Sequence, residues 1–168
     1  SADFATCIAS RDLEDDAMVS FRMSDGAVGR LWASAVAVGH MHGLNIEVFG
    51  EKGGLRWAQE WPNQLYWTPL NEPKRTLERG GPNLSPEADR ASRVAIGHAE
   101  GMSLAFANIY TDLAEVIGAA REGRAPDPAA THYPRAIDGL NSMSAVSAAV
   151  SSAQNGGRWE NARPPSRV

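Results

Sequence analysis

A few short stretches of the 168-residue chain carry side chains that could do chemistry. In GHAEGM, Gly97 and Gly101 bracket His98 and Glu100 just ahead of a run with helical periodicity. A loop that leads into a helix is good ground for an imidazole or carboxylate that contacts a ligand. The plainer reading makes Glu100 a cap and leaves His98 a surface residue, and spacing alone favours it. His40 and His42 flank Met41. In an extended segment residues two apart point to one side, so this pair could begin a metal site or join a substrate contact. A metal site needs a third ligand, and with one cysteine in the chain only unplaced carboxylates could supply it. No metal is expected.

The stretch Gly43 to Trp57, GLNIEVFGEKGGLRW, gathers Gly50, Gly53 and Gly54. Glycines that cradle a phosphate open directly into a helix whose free N–H groups face the anion. Here LRWAQEW follows, too short and aromatic for such a helix, and neither GxGxxG nor a GK[ST] ending occurs. EKGG therefore reads as a turn between two strands, with a glycine at positive φ. The run Glu14-Asp15-Asp16 lacks the alternating oxygen ligands and the glycine of a calcium loop and reads as a solvated turn. Neither Cys7 nor any serine sits in a nucleophile motif such as GxSxG. No catalytic and no cofactor-binding residue is expected within the chain.

The elements that must position these residues follow from periodicity. Ala17–Met23 alternates as a strand, Asp25-Gly26 favours a hairpin turn, and Ala27–Ala35 continues as its partner. LNIEVFG, GGLRWAQ and NQLYWTP are three more short strands, joined too closely for parallel crossovers, so the arrangement is an antiparallel meander. Asn71 to Leu84, with two prolines and two glycines, reads as a loop or a frayed edge strand. Ser85-Pro86-Glu87 opens a short helix running to about Val94. The long helix is SLAFANIYTDLAEVIGAARE, with Gly123 as its terminator. A second helix opens near Pro134 and ends at Asn155-Gly156-Gly157. Strands first and helices afterwards predict an α+β fold, a predominantly antiparallel open sheet with helices packed on one face.

The strands carry large apolar side chains at positions of both parities. Trp32, Phe49, Trp57, Tyr66 and Trp67 are the candidates for an apolar face available for self-association. A net charge of −4 without a basic run gives nucleic acid nothing to bind. No segment is long and apolar enough to span a membrane, and a lone cysteine fits a reducing, cytoplasmic compartment. Length and composition predict one domain over residues 1–168, with 160–168 a flexible, proline-rich tail. The absence of an initiator Met and an opening inside a strand lead us to expect a fragment.

Taken in order, DDAMVSFRMSDGAVGRLWAS, LNIEVFGEKGGLRW, GHAEGMSLAFANIYTDLAEVI and YPRAIDGLNSMSAVSAAVSSAQNGGRW resemble the C-terminal domain of the Gfo/Idh/MocA oxidoreductases. The most specific pieces are the turn built on Gly50, Glu51, Gly53, Gly54 and Trp57, and the GH-x-EG loop. The resemblance implies a parent enzyme whose N-terminal Rossmann domain, absent from this chain, binds NAD or NADP and carries the catalytic Glu-Lys-Pro lysine. It implies that the present part binds a sugar or polyol and builds homo-oligomers through its open sheet face. His98, and with it Glu100, would lie near substrate. Family members often read GHPEGY in this loop, where this chain has Ala99 and Met102, so an aromatic hydroxyl contact is absent here. The fragment alone should be inactive. The alternative is a non-catalytic self-associating or sugar-binding module.

Overall fold

The computed structural model describes residues 1–82 and 84–164. Of the expected tail, 165–168 lie outside the described residues. Seven strands run as β1 (Ala2–Ala5), β2 (Asp16–Arg22), β3 (Val28–Ser34), β4 (Asn45–Gly50), β5 (Gly53–Ala58), β6 (Gln64–Pro69) and β7 (Arg75–Glu78). Three helices follow, α1 (Pro86–Ala91), α2 (Met102–Glu122) and α3 (Ala136–Gln154), with a 3-10 turn at Pro128–Ala130. The α+β class and the antiparallel open sheets are as expected. The strands form two sheets rather than one, in the orders β1-β2-β3 and β4-β5-β6-β7. They belong to two compact units, residues 1–40 with 134 onward, and residues 41–133.

In the first unit the β2–β3 hairpin turns at Asp25-Gly26 as its residues dictate. Gly26 has φ 96°, and the Asp25 carboxylate accepts from the Ala27 amide at 3.0 Å. The register places Ala2 opposite Val19 and Val19 opposite Leu31, so these side chains share a face. Phe21 lies opposite Gly29, and its ring occupies the space a Cβ at Gly29 would need, 2.1 Å from Cζ. Met18 and Trp32 pair on the other face, where Trp32 Nε1 donates to Asp16 Oδ1 at 2.8 Å. Helix α3 packs on β1. The buried Ser152 hydroxyl accepts from the Ala2 amide at 2.8 Å and donates to the Arg158 carbonyl at 2.6 Å, satisfying the edge strand and the chain beyond α3 together.

One expectation for this unit changes. Glu14-Asp15-Asp16 is not a solvated turn throughout, because Asp15 is buried. Its carboxylate accepts from the amides of Cys7 and Ile8, at 2.7 and 3.1 Å, and pairs with Arg11. These bonds, the Cys7 amide first, lower the Asp15 pKa despite partial desolvation. The acidic residue closes the loop between β1 and β2.

In the second unit β4 to β7 form the meander, with β7 as the edge strand foreseen within Asn71–Leu84. Helix α1 opens on Ser85, whose hydroxyl accepts from the Ala88 amide, with Pro86 in the first turn. It stops at Ala91, short of Val94, because the amides of Arg93 and Val94 donate elsewhere. Helix α2 ends on Gly123 in the left-handed conformation, φ 69°, as its sequence specifies.

Candidate functional site

The register of the second sheet sorts its side chains. Ile46 faces Trp57, Trp57 faces Leu65 and Leu65 faces Leu77, while Val48 faces Leu55 and Leu55 faces Trp67. Side chains directly opposite one another lie on one face, so these seven apolar residues form a continuous patch. Ile46, Val48 and Leu77 remain 57, 53 and 48 % exposed. The opposite face is polar: Glu47 pairs with Arg56 at 3.2 Å, Gln64 donates to Glu78 at 3.0 Å, and Lys74 lies over the Tyr66 ring. Large side chains do fall on both faces, as expected from their parities, but only one face is continuously apolar. Trp57 and Trp67 belong to the apolar face, Phe49 and Tyr66 to the polar one. Trp32 lies in the other unit, half exposed and held by Asp16.

The glycine cluster is a sheet feature. A Cβ at Gly53, whose φ is 151°, would come 2.4 Å from the Thr68 carbonyl oxygen and 2.6 Å from the Trp67 ring. Glycine is needed because β6 passes this close. The turn runs from strand to strand, and the hollow beside it is walled by Val48, Leu55 and Trp67. Glu51 and Lys52 line it as well, and since β5 rather than a helix follows the glycines, the turn is not a helix-opening phosphate loop.

The GHAEGM loop has the most polar architecture of the chain. Glu100 is buried, its side chain 8 % exposed, and does not cap α2, whose N-cap is Gly101. Its Oε1 accepts from the amides of Arg93 and Val94, at 2.5 and 2.6 Å, and lies 2.8 Å from Arg79 Nη1. Arg79, 16 % exposed, spreads its guanidinium across the same loop. It donates to the carbonyls of Val94, at 2.9 Å, and His98, and through Nε to Asn63 Oδ1 at 2.7 Å. Asn63 Oδ1 accepts from the Glu100 amide and its Nδ2 donates to the Glu100 carbonyl, at 3.2 and 3.3 Å. A fixed five-donor fork is suited to satisfying several acceptors at once. Removing either member of so buried a pair strands a charge, a cost of about 3–5 kcal/mol.

His98 itself is exposed. Its backbone is held, the amide donating to the Ala95 carbonyl at 3.1 Å across a turn with Gly97 at φ 86°, and its carbonyl accepting from Arg79. The loop thus splits the expected pair: Glu100 is spent on the fold and His98 remains available. Arg79 and Asn63 were not anticipated. No motif in the sequence marked them, since their partners lie 15 to 37 residues away.

His40 and His42 are not brought to a site by the structure. The chain turns at Val38-Gly39 and bends at Met41-His42, so the extended geometry that would align the imidazoles is missing. His40 meets Trp32 edge to face, with ring centres 5.7 Å apart. Among the described residues no three His, Cys, Asp or Glu side chains converge on a metal position. The exposed Cys7 thiol is raised in pKa, by desolvation first and then by the bond and charge of Asp15, which keeps it a poor nucleophile. No helix is long and apolar enough to cross a membrane among the described residues.

Known proteins now supply context. Residues 1–56 match the family profile described as the GFO/IDH/MocA C-terminal domain. Over 149 residues, 88 % of the chain, it is 34 % identical to the uncharacterized oxidoreductase YfiI of Bacillus subtilis, covering 37 % of that protein. An oxidoreductase from Sinorhizobium meliloti superposes with a TM-score of 0.86 at 44 % identity, over 95 % of this chain and 45 % of its own. An inositol dehydrogenase homolog from Azotobacter vinelandii, solved with NADH and myo-inositol, superposes with a TM-score of 0.85 at 35 % identity, over 95 % and 42 % respectively. The chain thus spans less than half the length of these relatives. Residues 1–56 carry the profile of the GFO/IDH/MocA C-terminal domain, and the chain as a whole matches the C-terminal portion of longer oxidoreductases of the Gfo/Idh/MocA type.

Proposed function

We propose that residues 1–168 act as one domain, the substrate-side and self-associating part of a cytoplasmic NAD- or NADP-dependent dehydrogenase of sugars or polyols. The observation that carries this reading is the 35 % identity over nearly the whole chain to a protein solved with both NADH and myo-inositol. Hydride would pass between a carbinol carbon and nicotinamide, with the cofactor and the acid/base group supplied by residues outside this chain. His98 would hydrogen-bond a substrate hydroxyl, supported by its exposed imidazole on a backbone tied down from behind. The apolar face of β4 to β7 would meet a second copy of the chain.

The whole protein carrying this chain, supplied with a panel of polyols and sugars, should reduce NAD or NADP in a substrate-dependent way. The 168-residue chain alone, titrated with NADH in a calorimeter, should give no saturable heat. A second reading, a module that only self-associates, is favoured by the exposed apolar face alone. It would gain if the whole protein associated but turned over no polyol or sugar.

A further inference from the structure

We propose that Arg79 and Glu100 are positioning residues: with Asn63 they lock the segment from Arg93 to Glu100 into the one conformation that presents the His98 imidazole, and Glu100 itself never touches substrate. The inference deepens the dehydrogenase reading and rests on it for the word substrate. Its physical content rests on the contacts alone.

Every partner of Glu100 Oε1 is part of the fold: the amides of Arg93 and Val94 and the Arg79 guanidinium. Three donors from the fold converge on Oε1, and at 8 % exposure the side chain is held inside the loop rather than presented from it. Arg79 closes the other side of the loop by holding the Val94 and His98 carbonyls. Asn63 ties both to the start of β6, because it bonds Arg79 Nε and the Glu100 backbone, and its own carbonyl accepts from the Arg79 amide at 2.8 Å. The two anchors grip the segment at 93–94 and again at 98–100. Between them lies Gly97, at φ 86° and with open space where a Cβ would stand. Arg93 and Asn108 of α2 tie the start of the segment to the helix that follows, and the Arg79 and Glu100 bonds add the hold on the stretch that carries residue 98. Met102, where α2 begins, is 75 % exposed.

The test uses Glu100→Ala, Glu100→Gln, Arg79→Lys and His98→Ala. Amide hydrogen exchange is read on the folded chain, and steady-state kinetics on the whole protein with NAD and myo-inositol. Glu100→Ala should speed exchange at Arg93 and Val94 at least about tenfold while β4 to β6 stay protected. Glu100→Gln keeps an acceptor oxygen for both amides but loses the charge that faces Arg79, so its exchange and its KM should lie between those of the parent and those of Glu100→Ala. Arg79→Lys keeps the charge but not the fork, and should loosen the segment and raise KM as Glu100→Ala does. Should Glu100→Ala fail to fold, Glu100→Gln and Arg79→Lys still decide the matter.

A Glu100→Gln protein with normal exchange but KM raised as far as in Glu100→Ala would mean that the carboxylate contacts substrate, and would overturn the proposal. Unchanged exchange in both Glu100→Ala and Arg79→Lys would overturn it too. His98→Ala separates this proposal from the functional reading. If it leaves KM and kcat untouched while the exchange results hold, the role of His98 falls and the anchoring of the loop stands.

Discussion

Glu115 and Arg124 show how a single ion pair in this chain sets a pH response. Arg124 reaches back from beyond the end of α2 to grip Glu115 through two parallel bonds of 2.7 and 2.9 Å, and the Asp127 amide donates to the same carboxylate. The Arg124 bond first, and the amide second, lower the Glu115 pKa from 4.5 to about 2. A carboxylate with a depressed folded pKa contributes stability above its ordinary value and loses it as pH falls toward the folded one. Urea midpoints of the parent should therefore fall between pH 4.5 and 2 more steeply than those of Glu115→Gln. Parallel curves would refute this. Similar physics separates the two acids that the sequence marked in turns. Asp15 and Glu100 are both buried by accepting backbone amides, and neither is free to bind a ligand.

At the scale of elements, Gly53 is the residue whose replacement is best defined. An alanine there would collide with the Thr68 carbonyl at an unfavourable φ, so Gly53→Ala should destabilise the β4–β6 meander by about 1–3 kcal/mol, read as a lower urea midpoint. Gly97→Ala meets no neighbour, and its cost should be limited to that of a left-handed backbone, about 1 kcal/mol. The same residues show what could be read without coordinates. The hairpin at Asp25-Gly26, the strand-to-strand turn at Gly50–Gly54, the Ser85 cap and the Gly123 terminator each depend on neighbours a few residues away, and all formed where local chemistry put them. The early end of α1 at Ala91 and the burial of Glu100 depend on Arg79 and Asn63, distant in sequence, and no periodicity carries that information. Which face is continuously apolar was hidden for a related reason. Alternation within one strand says which residues share a side, but only register between strands shows that Phe49 lies with the polar set and Trp67 with the apolar one.

For the whole molecule the open question is what the exposed apolar face meets. On the face that carries Ile46, Val48, Leu55, Trp57, Leu65, Trp67 and Leu77, the four aliphatic residues Ile46, Val48, Leu55 and Leu77 stand exposed, the kind of patch that interfaces use. Trp67→Glu should lower the sedimentation mass of an associated form, whereas Thr68→Lys, one residue on and facing the other way, should leave it unchanged. Equal effects would place the contact elsewhere. The account as a whole joins this self-association to a role beside a polyol and a nicotinamide, and His98 is where the two halves of that claim meet chemistry. The most direct test is kcat/KM of the whole protein for NAD-linked polyol oxidation, parent against His98→Ala. The account predicts polyol-dependent turnover in the parent and a loss of roughly 3- to 10-fold in the variant, the scale of one hydrogen bond. Turnover with no polyol or sugar, or a variant equal to the parent, would contradict it.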